Sequence, residues 1–530
     1  MKIPDALLGD PTPARGRVRC ALAAAILVFS AFSWLGHGGL RNPTFDVDSF
    51  DYAQMSRQVW RGEGFTMQQT FPYVLRFLRE HGVPAEPPWP NTTRFPLIAL
   101  QEAAAFAVVG PNDLGILAAG GAMFMASALV AFLLGNRLFG PLAGSLAAAA
   151  TVTEPMQLHF SRSGLLETGA GFFTLLVALT LAATTEAERW RNGAAVALGM
   201  ALGLGFLQRY DLLAFAPVAA VLMLARSRAP RAPLALWCAV GFALTAGLWL
   251  ARNLLTVGTV LGTTSIDRNL LGGVVPGDVY MGTQTVNAWR YAIEHWPEFL
   301  GKFEVARIWF VVHAASLFGG ALAMAGAALA LVSPALVKSR PVRTVWLFLV
   351  GGFATRAILL SIMHNEPRFY LSFTPLLFVL GAGGAIGVLR MLPAVARPLV
   401  PLAATLAFAG AALAVPRGDW APISGEPPGE FAVISRSIAP GTVVASDLSW
   451  NVAWYCDRPS VRFSGAWPEL VEIERLGTRV GAVLVTRRAA RDFLAAHVSA
   501  GGKAFTRASS SPAGYHLWLR NPDSASLAGG

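Results

Sequence analysis

Between residues 20 and 415 the chain carries apolar runs of about 18 to 25 residues, each long enough to cross a hydrocarbon core ~30 Å thick. In lipid every backbone N–H and C=O must be satisfied within its own segment, so such runs fold as helices. The pattern predicts eleven spans, at 20–36, 114–136, 141–158, 168–185, 193–207, 211–225, 234–254, 305–332, 343–363, 369–389 and 398–415. The pair 193–207 and 211–225 is short at ~1.5 Å rise per residue and reads as a thin or tilted hairpin divided by "QRYD". With 54% hydrophobic residues in 530, the apolar content exceeds what a soluble core can use. The expected class is an all-α polytopic membrane protein with about eleven transmembrane helices and a small C-terminal α/β domain.

A net charge of +11 would suggest nucleic acid in a soluble chain, but here Arg and Lys sit in short gaps between apolar runs, where they act as topology signals. One alternating set of gaps (1–19, Arg137, 189–191, 226–231, 338–343 and 390–397) holds 15 of these charges; the other holds 3, at Arg162, Arg209 and Arg368. The first set is therefore expected in the cytoplasm, with residues 1–19 as a cytoplasmic N-terminus in an inner (plasma) membrane protein and no nucleic-acid partner. The basic start could be read as a signal peptide, yet it has no clear small-x-small cleavage site. Cys20, Cys238 and Cys456 are too dispersed for a disulfide framework or metal motif.

The spans 20–415 enclose two large outer loops, 37–113 and 255–304. In the first, "PLIALQEAAAFAVV" is about 14 residues long and interrupted by Gln101 and Glu102, which fits an interfacial helix rather than a span. Residues 416–430 read as a Pro/Gly linker, and 431–530 as a soluble extracytoplasmic α/β domain with strands at 442–446, 482–486 and 515–520 and a helix near 487–497. No internal repeat or inverted pair of halves is visible.

Carboxylates gather where charge is scarce. "DVDSFD" places Asp46, Asp48 and Asp51 at the start of a helix that runs to Gly62 and Gly64. A helix N-terminus favours acids, by about 0.3–1 kcal/mol each, but one would suffice. Glu167 in "SRSGLLETG" stands at another helix start in apolar surroundings, with Arg162 the nearest partner in sequence. Two carboxylates on one outer face could activate a hydroxyl or hold a divalent metal ion, the one candidate cofactor. Arg94, Arg209, Arg252, Arg356 and Arg368 fall on the same side; singly each is a snorkelling anchor, together they could bind a phosphate. Arg356 is the costliest, with no acid within two turns of its span. His364 and Glu366 precede Arg368 and Tyr370 and could ligate a metal. Trp450, Trp454 and Tyr455 in "DLSWNVAWYCDRPSVRFSG" read as buried core that could also stack on sugars.

Over residues 20 to 415 these segments, in this order, resemble the GT-C superfamily of lipid-carrier-dependent glycosyltransferases, similar to bacterial aminoarabinose transferases and protein mannosyltransferases. Asp48 with Tyr52 and "RGEGF" resembles the first-loop acid of the family, and "RFPLIALQEAAAFAVVG" its Pro-led juxtamembrane helix. Glu167 stands where the second acid is usually Asp; in "LGLGFLQRYDLLAFAP" Arg209 takes the place of Lys and Tyr210 that of Gly; "LWLARNLLTVGT" and "EPRFYLSFTPLL" match two further segments. The resemblance implies transfer of a sugar from a polyprenyl-phosphate donor to a glycan, lipid or protein acceptor at the outer face, among membrane lipids. It makes Asp48 the general base or the group that orients the acceptor hydroxyl, with Glu167 assisting or sharing a metal. Arg209 and Arg368, with Arg252, would neutralise the departing carrier phosphate. Asp46, Asp51, Arg94, Arg356 and Tyr370 complete the expected substrate site. A transporter or flippase of a lipid-linked glycan is the alternative, and it would show repeat symmetry and broken mid-bilayer helices.

Overall fold

The structure, a computed structural model, describes residues 13–41, 43–186, 191–226, 231–261, 264–275, 281, 287–313, 328, 339–364, 366–391, 428–500, 502–510, 514–524, 526 and 527. It is mostly helical. Among the described residues six helices are long and apolar enough to cross a membrane, within Val18–Gly36, Asp113–Phe139, Glu167–Thr185, Arg231–Val257, Arg340–Ile362 and Arg368–Gly387. The chain is an integral membrane protein, and these six fall where the sequence predicts spans.

Among the described residues fewer than eleven spans are seen, and local chemistry accounts for part of the difference. The expected span 141–158 is broken at Glu154. Its backbone is extended, as a residue before proline prefers, and its carboxylate accepts from the Gln157 N–H at 2.6 Å, capping a new helix, Pro155–Phe160. The 193–225 hairpin becomes an 18-residue helix, Arg191–Gln208, and a 12-residue helix, Phe215–Arg226, joined by the 3-10 turn Tyr210–Ala214. In 305–332 a helix, Trp296–His313, is described through residue 313; the span at 398–415 lies outside the described residues.

The chain divides into two compact units. The first comprises segments 1–44, 117–248 and 303–422. Its Arg191–Gln208 and Arg231–Val257 helices approach so closely that a methyl group at Gly199 would lie 1.9 Å from the Cys238 carbonyl oxygen, and one at Gly241 2.1 Å from that of Val196. Without a hydrophobic drive between helices in lipid, such backbone proximity supplies the packing energy.

The second unit comprises segments 45–116, 249–302 and 423–530. Its strands are β1 (Thr66–Met67), β2 (Gln69–Thr70), β3 (Trp89–Pro90), β4 (Val444–Ser446), β5 (Ser460–Arg462), β6 (Ala482–Thr486), β7 (Phe505–Ser510) and β8 (Tyr515–Arg520). β1 pairs with β3, and the other six form one sheet in the order β2-β5-β4-β6-β8-β7. β2, β5, β4 and β6 run parallel, while β8 is antiparallel to β6 and to β7. The edge strand β2 comes from the first long loop, with Gln69 opposite Ser460. Phe71, Leu75, Leu78 and Trp89 bury against Val461, Val483, Val485 and Trp518 in one core.

Within this unit the Val47–Trp60 and Pro96–Val109 helices pack together, with Phe50, Ala53 and Phe106 meeting Trp454 in a buried cluster. Glu102 is enclosed at this contact. Ser56 Oγ lies 2.6 Å from Glu102 Oε2 and 2.7 Å from the Tyr52 carbonyl oxygen. A hydroxyl has one hydrogen, so Ser56 donates to only one of these oxygens at a time, and a protonated Glu102 supplies the other bond. Burial agrees, pushing the Glu102 carboxyl up to about 8. Because the folded state binds this proton more tightly than the unfolded chain, stability from this group is full below its ordinary value of 4.5 and is lost as pH rises toward 8. The melting temperature of the purified protein should therefore fall between pH 5 and 8. In Glu102→Gln, whose amide donates without titrating, the fall should be much shallower; equal slopes would sink the assignment.

Candidate functional site

The expected site residues fall into two groups, one in each unit. In the second unit Asp46 caps the Val47–Trp60 helix: its carboxylate accepts from the Val47 N–H at 2.6 Å, and its own N–H donates to Ser49 Oγ at 2.9 Å. This frees the next turns to place Asp48 and Asp51, three residues apart, on one helix face. Arg94 reaches both. Its Nη2 donates to Asp48 Oδ1 at 2.6 Å and to Asp51 Oδ2 at 2.5 Å, and its Nε to Asp51 Oδ2 at 2.8 Å. The guanidinium also lies over the Tyr52 ring at 5.4 Å.

The loop carrying Arg94 is held rigidly. Asn91 Oδ1 accepts from the Thr93 and Arg94 N–H groups, and its Nδ2 donates to the Arg94 carbonyl at 2.9 Å. Arg252 then braces the loop: its Nη1 donates to the Asn91 carbonyl at 2.8 Å and its Nη2 to that of Phe65 at 3.0 Å. Arg252 thus positions the Arg94 loop here, and Asn91, which composition gave no reason to single out, is its hub. The two acids differ sharply in exposure. Asp51 is fully enclosed, and burial pushes its carboxyl up to about 6 against the pull of Arg94. Asp48 keeps 31% of its side chain exposed.

In the first unit Glu167 opens the Glu167–Glu186 helix, buried. Its neighbours are Arg209, at 3.2 Å, and Arg368, at 3.8 Å. Arg162, the partner suggested by sequence proximity, instead donates to the Leu158 and His37 carbonyls. Arg209 also donates from Nε to Asp211 Oδ1 at 2.9 Å and lies over the Phe369 ring at 4.2 Å. Arg356, completely buried, donates from Nε to Asp211 Oδ2 at 2.8 Å and from Nη1 to Ser372 Oγ. Its missing counter-charge is thus Asp211, which the sequence shows only as the last letter of "QRYD". Arg368 pairs with Glu366, and Glu366 with His364 Nε2 at 2.7 Å. Tyr370 is buried among Phe310, Phe353 and Trp309.

Three carboxylates and three guanidinium groups therefore interleave in this unit. Arg356 is enclosed, while Arg368, the most accessible of the three, keeps 21% of its side chain exposed. Among the described residues no three His, Cys, Asp or Glu side chains cluster as a metal site. In both groups each paired carboxylate meets a guanidinium through at least one oxygen. Breaking a buried ion pair typically costs about 3–5 kcal/mol, because it leaves a charge uncompensated. Asp211→Ala should accordingly lower the melting temperature steeply, whereas Glu294→Ala, which removes the exposed partner of Arg290, should not. Equal melting temperatures would show that Asp211 does not hold the arginines.

The model of the dolichyl-phosphate-mannose-protein mannosyltransferase family matches residues 91–250, the stretch containing Arg94, Glu167 and Arg209. No curated protein matches the chain in sequence. Among solved structures the chain is similar to ArnT from Cupriavidus metallidurans bound to undecaprenyl phosphate, with a TM-score of 0.58 and 13% identity, over 96% of this chain and 99% of that one. It is similar to the Archaeoglobus fulgidus oligosaccharyltransferase in complex with Zn and sulfate, with a TM-score of 0.56 and 14% identity, over 93% of this chain and 73% of that one. It is also similar to the arabinofuranosyltransferase AftD from Mycobacteria, with a TM-score of 0.53 and 15% identity, over 96% of this chain but 40% of that one. At such identities the likeness shows the fold that the chain shares with these proteins.

Proposed function

We propose that the protein is a membrane glycosyltransferase that moves a sugar from a polyprenyl-phosphate carrier to an acceptor hydroxyl on the outer face of the membrane. The observation that carries this reading is the Asp48–Arg94–Asp51 constellation, a reachable carboxylate fixed by a buried ion pair, in a chain with the fold of an ArnT bound to undecaprenyl phosphate.

In this reading Asp48 accepts the proton of the acceptor hydroxyl as its oxygen bonds to the anomeric carbon. The bond from that carbon to the carrier phosphate breaks, and the electron pair leaves with the phosphate. Positioned proton acceptance of this kind is worth ~10²–10⁴ in rate. In the first unit Arg209 and Arg368, with Glu167 beside both, are the groups suited by charge to a phosphate. Arg356 and Arg252 have structural tasks: Arg356 anchors Asp211, and Arg252 anchors the Arg94 loop.

The test is mass spectrometry of envelope glycolipids and glycoproteins from a deletion strain complemented with wild type, Asp48→Asn or Arg368→Ala, at matched membrane abundance. Wild type should restore a sugar-sized mass increment, Asp48→Asn should reduce it at least about 100-fold, and Arg368→Ala should reduce it less. Full restoration by Asp48→Asn would reject the catalytic role and favour a transporter.

A further inference from the structure

We infer that Trp450, in the C-terminal region, is a positioning residue for the carboxylate pair, acting on Asp48 through Asp51 and Arg94. This rests on the reading of Asp48 given above. Trp450 Nε1 donates to Asp51 Oδ2 at 3.1 Å, the same oxygen that takes both Arg94 donors. The other oxygen, Oδ1, is buried with no hydrogen-bond partner among the described residues. One oxygen of Asp51 thus collects three N–H groups while its twin has none, so the indole helps decide which way the carboxylate faces. Its facing in turn decides how the Arg94 guanidinium is shared between Asp51 and Asp48.

The indole is itself fixed, with the Arg462 guanidinium 4.7 Å over its ring and the Phe71 ring edge-on at 5.9 Å. Its segment is fastened to the same helix. Arg57 donates to the Trp454 and Ala453 carbonyls at 2.7 and 2.5 Å, and Arg57 and Arg61 both bind Asp457. Asp457 holds the left-handed conformation, φ 51°, that few side chains other than glycine adopt. Trp454 and Tyr455 donate to Asp113.

Packing alone would be served by phenylalanine at 450; what phenylalanine lacks is the donor. The charged groups facing Asp51 are Arg94 and Asp48. Of the remaining charges on the elements packed around it, Glu102 is engaged with Ser56, Asp457 with Arg57 and Arg61, and Arg462 with the indole face. The indole bond and Arg94 both favour the ionised carboxylate. Losing the indole N–H therefore raises the pH at which Asp51 takes a proton, and a protonated Asp51 leaves the Arg94 charge to Asp48 alone.

The experiment measures the rate of sugar transfer in isolated membranes of the deletion strain, which hold their own donor and acceptor, from pH 5 to 8. It compares purified wild type, Trp450→Phe and Trp450→Gln, with melting temperatures recorded in parallel. Wild type should lose activity below about pH 6, the value to which burial brings Asp51. Trp450→Phe should move that midpoint up by about one unit and slow the maximal rate about tenfold, the worth of one hydrogen bond to a charged group. Trp450→Gln, which keeps an N–H donor without the ring, should stay nearer the wild-type midpoint even if its melting temperature drops. A Trp450→Phe enzyme with an unmoved midpoint, whether its rate is normal or uniformly low, overturns the inference. Should Trp450→Phe fail to fold, a Trp450→Gln midpoint shifted by a full unit overturns it instead. Full transfer by Asp48→Asn brings down the function itself; an inactive Asp48→Asn beside an unmoved Trp450→Phe removes only the role of Trp450.

Discussion

A guanidinium group cannot shed its proton to escape a dry environment, so each arginine buried in this chain must be met by a carboxylate or a run of carbonyls. That requirement organises both candidate sites. In one unit Asp211 serves Arg209 and Arg356 at once, and Glu167 stands between Arg209 and Arg368. In the other, Arg94 spans Asp48 and Asp51, Arg57 meets two backbone carbonyls and Asp457, and Arg252 donates to two backbone carbonyls. The arginines thus sort by what they face. Those saturated by the chain hold the architecture, and those left at a partly open edge are suited to a ligand.

The pattern legible in the sequence was the one governed by local periodicity. Six long spans, the acid-led helix after residue 46 and the strands at 482–486 and 515–520 all show continuous apolar runs or clean capping signals. β5, "SVR", and β7, "FTRASS", carry too little apolar alternation to be read, and β2 has only two residues. The break at Glu154 was hidden because the residues on both sides are apolar enough to continue a span. At the candidate sites, residue types were legible and pairings were not. Glu167 meets Arg209 rather than the nearby Arg162, and Arg356 finds its acid 145 positions away, well beyond a two-turn window. Side-chain pairing in a helical membrane protein is set by which helices touch, and hydropathy does not record that.

The Val47–Trp60 helix joins these themes. Its first residues carry the acids, its middle is fixed by Glu102 against Ser56, and its last turns are gripped by the 453–457 segment. A helix pinned along its length can hold two carboxylates near one guanidinium without letting either drift, a degree of preorganisation that charge-stabilising sites depend on.

The edge strand β2 carries a further consequence, one of timing. Ser460 donates its N–H to the Gln68 carbonyl across 392 residues of sequence, and among the described residues β2 pairs in the sheet with β5 alone. During synthesis the first loop emerges long before the strand that completes it, because domains assemble as their parts leave the ribosome. Asp51 and its arginine must then wait through the insertion of every later span before Trp450 arrives. A chain halted before Trp450 would carry Asp51 and Arg94 but neither the indole donor nor the strand that pairs with β2.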